Sequence, residues 1–279
     1  MLGIIGGTGL YKLEGLVEER RVAESTPFGK PSSPITVGKL GATQVAFLAR
    51  HGLHHEYLPS EINYRANLFA LKAAGATELL SVSAVGSLQR EYPPGSLVLP
   101  NQFIDLTKGI RAPSFFGNGI AAHISTGQPT CSRLGARVLA SAGNERIFAE
   151  KTYACVEGPR LGTAAETRML TTLGGNIVGM TNLPEAFLAR EAQMCYASLC
   201  IVTDYDSGAA EDGAATEVDA ILAEYARSIN KVQTILRALT AAEVGPAACS
   251  CRTSLRAAVL TPDERLTLEQ RAMMKVLRS

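Results

Sequence analysis

The chain has 279 residues, with 27 Lys and Arg against 26 Asp and Glu, a formal net charge of +1. So even a balance gives no electrostatic basis for a nucleic-acid or anionic-membrane partner. Hydrophobic residues make up 46% of the chain, enough for a large core, yet no apolar stretch reaches the roughly 18 uninterrupted residues of a membrane span. The start, Met1-Leu2-Gly3-Ile4-Ile5-Gly6-Gly7, lacks the basic segment and long apolar run of a secretory leader, so a cytoplasmic protein is expected.

In chain order, Leu2 to Ile5 is an apolar run ending in Gly6-Gly7-Thr8-Gly9, the pattern of a buried strand entering a glycine loop. Ile35–Val37 and Gln44–Leu48 flank Gly38-Lys39-Leu40-Gly41 and predict a hairpin. Asn63 to Ala73 has helical spacing and stops near Gly75. Glu78 to Val85 predicts a strand, Leu134 to Ala142 a helix, and Ile147 to Val156 one or two strands. Thr163 to Leu173 is a helix with a Thr start, Asn176 to Met180 a strand, and Pro184 to Gln193 a helix with Pro in its first turn. Tyr196 to Thr203 is a strand, Val218 to Ala242 a long helix and Thr261 to Leu277 a last one. Strands alternating with helices predict an α/β fold, a sheet covered by helices on both faces. No composition break divides the chain, so one domain over residues 1–279 is expected, with C-terminal helices from about 216 onward; the most linker-like stretch is Val244 to Thr253.

Six cysteines occur. Those in apolar runs read as buried thiols acting as small hydrophobes. Cys249-Ser250-Cys251 lies in an irregular segment and could be redox-active or staple the C-terminal segment; it is not metal-ligand spacing by itself.

Ligand sites of α/β folds form beyond the carboxyl ends of strands. The first such place offers the amides of Gly6-Gly7-Thr8-Gly9 and a threonine hydroxyl, suited to an oxyanion or to a plain tight turn. After the next strand come Arg50 and His51, placed to grip a phosphate, since arginine presents a planar fork of donors. His54 and His55 follow without carboxylate or cysteine at ligand spacing, so no metal is expected. Ser83-Ala84-Val85-Gly86 supplies small residues and a hydroxyl for close ligand approach. Glu157 to Arg160 is a Gly/Pro turn whose charges suit a structural role. Gly179-Met180-Thr181 supplies a thioether, a hydroxyl and helix N-terminal amides, flanked by Glu185 and Glu191. Finally Thr203-Asp204-Tyr205-Asp206 puts two carboxylates where a buried strand ends, at a spacing that shares one face. Such a pair can hold one acid protonated, or can serve a turn or a metal.

Taken together these segments resemble the methylthioadenosine phosphorylase branch of the trimeric purine nucleoside phosphorylase family. The strings that carry the resemblance are GIIGGTGLY, ARHG with PSEINYRAN, SAVGSL with PGSLVLPNQFID, VEGPRLGTAAETRM, GMTNLPEAFLARE and CYASLCIVTDYD, collinear from residue 3 to 206. The resemblance implies a mixed, twisted central sheet flanked by helices and a homotrimer or dimer of trimers. It implies phosphate held by Thr8, Arg50, His51, Ser83, the Ala84 amide and Thr181, with Ser83 standing where animal members usually have Thr. It implies a nucleoside lying against Val85, Leu161, Met180 and Thr203, with Met180 on the ribose. Asp204 and Asp206 would face N7 and the 6-amino group of adenine. His123 would reach a neighbouring subunit's site near the 5′ substituent; an exposed loop histidine explains it equally well. No cofactor is implied, inorganic phosphate being a co-substrate. Leu161-Gly162 departs from the branch's usual Phe-Ser, and the Arg111 to Ile120 loop looks short.

The expected reaction is reversible phosphorolysis of a purine nucleoside, S-methyl-5′-thioadenosine in the first place. Two carboxylates suit a 6-amino base better than the 6-oxopurines inosine, guanosine or methylthioinosine, which remain the alternative. A nucleotide-cofactor oxidoreductase would need GxGxxG and an acid about 20 residues on, which the chain lacks. A non-catalytic nucleoside binder would have no use for a phosphate site.

Overall fold

The computed structural model describes residues 1–22, 25–207, 209, 218–242 and 248–279. Its first half runs β1 (Leu2–Gly6), β2 (Val17–Val22), β3 (Ile35–Leu40), β4 (Thr43–Ala49), α1 (Tyr64–Ala73), β5 (Glu78–Ser87), β6 (Leu97–Leu106) and α2 (Ser132–Ala140). The second half runs β7 (Ile147–Val156), α3 (Ala164–Thr172), β8 (Ile177–Gly179), α4 (Asn182–Glu191), β9 (Cys195–Tyr205), α5 (Val218–Thr240) and α6 (Leu268–Leu277).

The strands form one mixed sheet in the order β2-β3-β4-β1-β5-β8-β7-β6-β9. β1 lies parallel between β4 and β5, and β9 runs parallel to β5 along its whole length. Because β5 pairs with both β8 and β9, the circuit β5-β8-β7-β6-β9 returns to its own start and this part of the sheet closes on itself. Side chains alternate across the pleat. Ile5 and Leu79 therefore enter a core under α1, α4 and α6, while Leu2, Ile4, Leu80 and Val82 enter a second core under α2 and α5. The expected α/β architecture is the observed one.

Local chemistry sets the helix starts. Asn63 accepts a hydrogen bond from the Ala66 amide at the head of α1. Thr163 and Glu166 close a reciprocal capping box on α3, a device worth about 1 kcal/mol. In α4 the regular helical backbone begins at Pro184, because Leu183 is extended.

Several elements differ from expectation. β2 went unpredicted because Val17–Val22 is charged and almost wholly exposed, so no alternation marks it. β6 was hidden by Pro100, which cannot donate to a ladder; the register shifts on both sides of Pro100 and absorbs it. The hairpin turn lies at Gly41-Ala42, later than predicted, with Gly38 to Leu40 inside β3. The last predicted helix is divided: Asp263–Arg265 is a 3₁₀ turn, Leu266 is extended, and α6 starts at its Thr267 cap. The predicted linker falls partly on residues 244–247, and the predicted boundary at 216 likewise lies outside the described residues; α5 is described from Val218.

Candidate active site

The parallel strands β1, β4, β5 and β9 deliver their carboxyl ends to one edge of the sheet. β8 runs antiparallel to β5, pairing Val178 with Gly86. It therefore turns Met180 and Thr181 back alongside Ser83, where the Ser83 and Thr181 hydroxyls stand 3.4 Å apart. A cavity of about 450 Å³ opens there. Every predicted site residue lines it except Ser83, directly behind Ala84, and His123.

Arg50 anchors the cavity floor. Its guanidinium donates Nε to Glu185 Oε2 at 2.9 Å, Nη2 to Glu185 Oε1 at 3.2 Å and to Ser81 Oγ at 2.5 Å, and Nη1 to the Val82 carbonyl at 3.1 Å. Four of its five N–H groups are thereby fixed, leaving one on Nη1. That nitrogen lies 3.0 Å from where a Cβ on Gly7 would stand, and the same Cβ would come within 2.6 Å of the Val82 carbonyl. Glycine at position 7 is thus a steric requirement of this arginine. Burial works against the Arg50 charge, but Glu185 more than offsets it and holds the guanidinium above its ordinary pKa. The Tyr196 hydroxyl donates to Glu185 Oε1 at 3.0 Å and completes the carboxylate's shell.

His51 is the cavity's neutral partner. Burial, and then the neighbouring Arg50 charge, push its pKa down to about 4. Its Nδ1 lies 2.8 Å from the Tyr57 carbonyl, an acceptor, which assigns the proton to Nδ1 and leaves Nε2 as an acceptor. The predicted phosphate grip therefore has one cation, Arg50, and a histidine suited to a protonated phosphate oxygen. His55 stacks on His51 with ring centroids 4.5 Å apart and also lines the cavity, a contact that sequence spacing alone did not separate from His54. Among the described residues, no group of three or more potential metal ligands includes a histidine.

The two aspartates share the other part of the cavity. The β5–β9 register shifts after Val85, pairing Gly86 with Asp204 and leaving Thr203 as the extra residue. A Cβ on Gly86 would stand 3.5 Å from Asp204 Oδ2 and 3.4 Å from Asp206 Cβ, so both acids flank one glycine. Thr203 Oγ1 donates to Asp204 Oδ1 at 2.8 Å. Asp206 is buried and takes a hydrogen bond on Oδ2 from the Thr167 hydroxyl. Burial raises its pKa, against the pull of that hydrogen bond. Thr167 was not foreseen; its place three residues after a helix start gives no sign of what it faces.

Arg111 is the largest omission of the sequence-based expectation. It is buried in the loop that looked merely short, and donates Nε to Glu157 Oε1 at 2.6 Å and Nη1 to the carbonyls of Met180 at 2.6 Å and Leu183 at 2.7 Å. It thereby clamps the Met180 loop to the Glu157 turn. Glu157 is consequently an ion-paired structural acid, as a charged Gly/Pro turn suggested. Gly158, at φ +73°, is the position where a Cβ would stand 2.4 Å from Met180 Sδ. Leu161 is 39% exposed at the cavity rim. His123 is exposed, away from the cavity, its amide bonded to the Ala258 carbonyl.

This arrangement has close counterparts. Over 279 residues the chain is 40% identical to the S-methyl-5′-thioadenosine phosphorylase of Geobacter sulfurreducens, spanning 99% of this chain and 97% of that one. It is 44% identical over 262 residues to the protein of the same name from Hyperthermus butylicus, spanning 93% and 95%. A methylthioadenosine phosphorylase from an antarctic soil metagenomic library superposes with a TM-score of 0.91 at 38% identity, over 99% of this chain and 98% of that one. The Schistosoma mansoni methylthioadenosine phosphorylase in complex with adenine superposes at 0.82 and 35%, over 86% and 90%. Among the described residues, no helix is long and apolar enough to cross a membrane. The family model of the phosphorylase superfamily matches residues 1–241, and the chain belongs to that superfamily.

Proposed function

We propose that this chain catalyses the phosphate-dependent, reversible cleavage of S-methyl-5′-thioadenosine to adenine and 5-methylthioribose 1-phosphate, as a pentosyltransferase. One observation supports this most: a single cavity joins the Arg50, Thr8 and Thr181 donors to the Asp204–Asp206 pair. Ser83 and Gly86, which mark the two groups, are three residues apart on β5, about 10 Å of strand. That separation accommodates a ribose between a phosphate and a purine.

In this mechanism Arg50, with Thr8, Thr181, Ser83 and the Ala84 amide, positions orthophosphate below C1′. His51 accepts a hydrogen bond from the phosphate's protonated oxygen. As the C1′–N9 bond breaks, its electron pair moves into the purine ring, and a phosphate oxygen forms the new bond to C1′. Asp204 delivers a proton or a hydrogen bond to N7, so the base leaves without full negative charge. Asp206, oriented by Thr167, accepts from the 6-amino group. Val85, Met180, Leu161 and Thr203 enclose the nucleoside, Met180 against the ribose. No cofactor is required, since phosphate is both nucleophile and co-substrate.

The same proposal includes a cytoplasmic enzyme that is a homotrimer or a dimer of trimers, in which His123 approaches a neighbouring subunit's site. Leu53, Tyr57 and Leu58 support assembly: these large apolar side chains stay exposed in the loop beside the cavity. Light scattering on the purified chain tests the oligomer. A panel of methylthioadenosine, adenosine and inosine, each with phosphate and scored for free base, tests the reaction. Faster turnover of inosine than of methylthioadenosine would overturn the substrate, and no base release from any nucleoside would overturn the activity.

A further inference from the structure

Away from this cavity, four cysteines from three separate stretches of chain converge. Cys131 is the residue preceding α2, Cys195 is the first residue of β9, and Cys249 and Cys251 begin the 3₁₀ turn that follows α5. Their four sulfurs all lie within 4.8 Å of one another, and those of Cys131 and Cys249 are 3.6 Å apart. Three of the four side chains are buried and Cys249 is half-buried. None of them lines the active-site cavity.

We propose that Cys131, Cys195, Cys249 and Cys251 form a closed tetrathiolate site for Zn²⁺. With Zn–S bonds of about 2.3 Å, a tetrahedral site separates its sulfurs by about 3.8 Å, close to the observed spacing. Four protein ligands leave no open position, which makes the role structural. A soft, tetrahedral four-thiolate set suits Zn²⁺. Loading is a balanced exchange: Zn²⁺ takes four thiolate sulfurs, and each thiol that is not already ionised releases its proton to solvent. A disulfide among the same sulfurs would instead need an oxidant to accept two electrons, and the phosphorolysis reaction supplies none.

The surroundings fit a thiolate cluster. The Arg133 guanidinium donates to Cys195 Sγ at 3.5 Å, the kind of outer hydrogen bond that stabilises metal-bound sulfur. The Cys131 amide donates to the Tyr196 carbonyl at 2.7 Å, so the head of α2 and the start of β9 are already in register before a metal arrives. A metal here would tie the C-terminal segment to β9, the strand that ends at the two aspartates. The expectation of no metal was drawn at His54 and His55, and Cys249-Ser250-Cys251 is not metal-ligand spacing by itself; the fold adds the other two ligands.

The test uses the full chain, expressed with zinc in the medium and purified without chelator. Elemental analysis should find about one zinc per chain. Zinc-free, reduced protein titrated with Co²⁺ should develop the intense visible absorption of tetrahedral thiolate cobalt. A Cys200→Ala chain, altered at a buried cysteine outside the cluster, should do the same, whereas a Cys249→Ser/Cys251→Ser chain should not. Removing zinc should shift the thermal midpoint of wild type downward. If the double variant does not fold, zinc content and the cobalt spectrum of wild type decide alone. Iron in place of zinc, no metal with no cobalt spectrum, or a chain from lysate alkylated under denaturing conditions that carries two fewer labels than the chain reduced before alkylation would each overturn the site.

Discussion

Arg50 and Glu185 form a two-point ion pair in which both side chains are only 1% exposed. The pair joins the end of β4 to the first turn of α4 and fixes the direction of the remaining Arg50 N–H. Glu185 is therefore a positioning residue for the proposed phosphate site.

Replacing Glu185 by Ala leaves a buried guanidinium without its counter-ion, a loss of about 3–5 kcal/mol. Urea unfolding should report that loss. In a Glu185→Gln chain that still folds, KM for phosphate should rise by about tenfold or more while KM for the nucleoside changes little. Equal changes in both constants would show that Glu185 only supports the fold.

Asp204→Ala removes the proposed donor to the purine N7. Turnover should fall by about 10²–10⁴, with a much smaller change in KM for the nucleoside. Steady-state rates with methylthioadenosine and saturating phosphate measure this. Near-normal kcat would eliminate the role.

Leu161 lies at the cavity rim beside Gly162, where the resemblance to the methylthioadenosine phosphorylase branch implies an aromatic residue. Leu161→Phe should add stacking worth about 0.5–1.5 kcal/mol. KM for methylthioadenosine should fall by about two- to tenfold, with KM for phosphate unchanged. A rise in the nucleoside KM would mean that Leu161 does not face the base.

Glu191 is buried and accepts from the Ser114 hydroxyl and the Phe115 amide, both at 2.7 Å. Burial raises its pKa from 4.5 to about 7, although both hydrogen bonds pull the other way. A raised carboxyl keeps its proton in the folded state while the unfolded chain has lost it, so its contribution to stability is present below pH 4.5 and lost as pH rises through 7. Glu191→Gln removes that loss. The stability of the variant relative to wild type should therefore increase from pH 5 to pH 8 in denaturant titrations; a difference independent of pH would contradict the assignment.

The strand ends that line the cavity were legible because they carry local signals. An apolar run ending in glycine or in paired carboxylates marks a strand end, and Gly6-Gly7, Arg50-His51, Met180-Thr181 and Asp204-Tyr205-Asp206 are all such ends. The partners of those residues were not legible. Glu185 could be seen only as a flanking acid, Arg111 stood in a loop with no periodicity, and Thr167 faced an unknown neighbour.

The sequence by itself determined where strands and helices alternate and which strand ends line the cavity, because side-chain periodicity, capping and turn preference act over a few residues. Tertiary structure alone decided which distant groups meet. The parallel alignment of β4, β1, β5 and β9 brings Arg50 over Ser81 and Val82, and the antiparallel entry of β8 returns Thr181 to Ser83. Tertiary structure likewise brings Cys131 and Cys195 to Cys249 and Cys251. Such meetings depend on strand order and on burial far apart in the chain, where hydrogen-bond and charge satisfaction in a low-dielectric interior selects the partner.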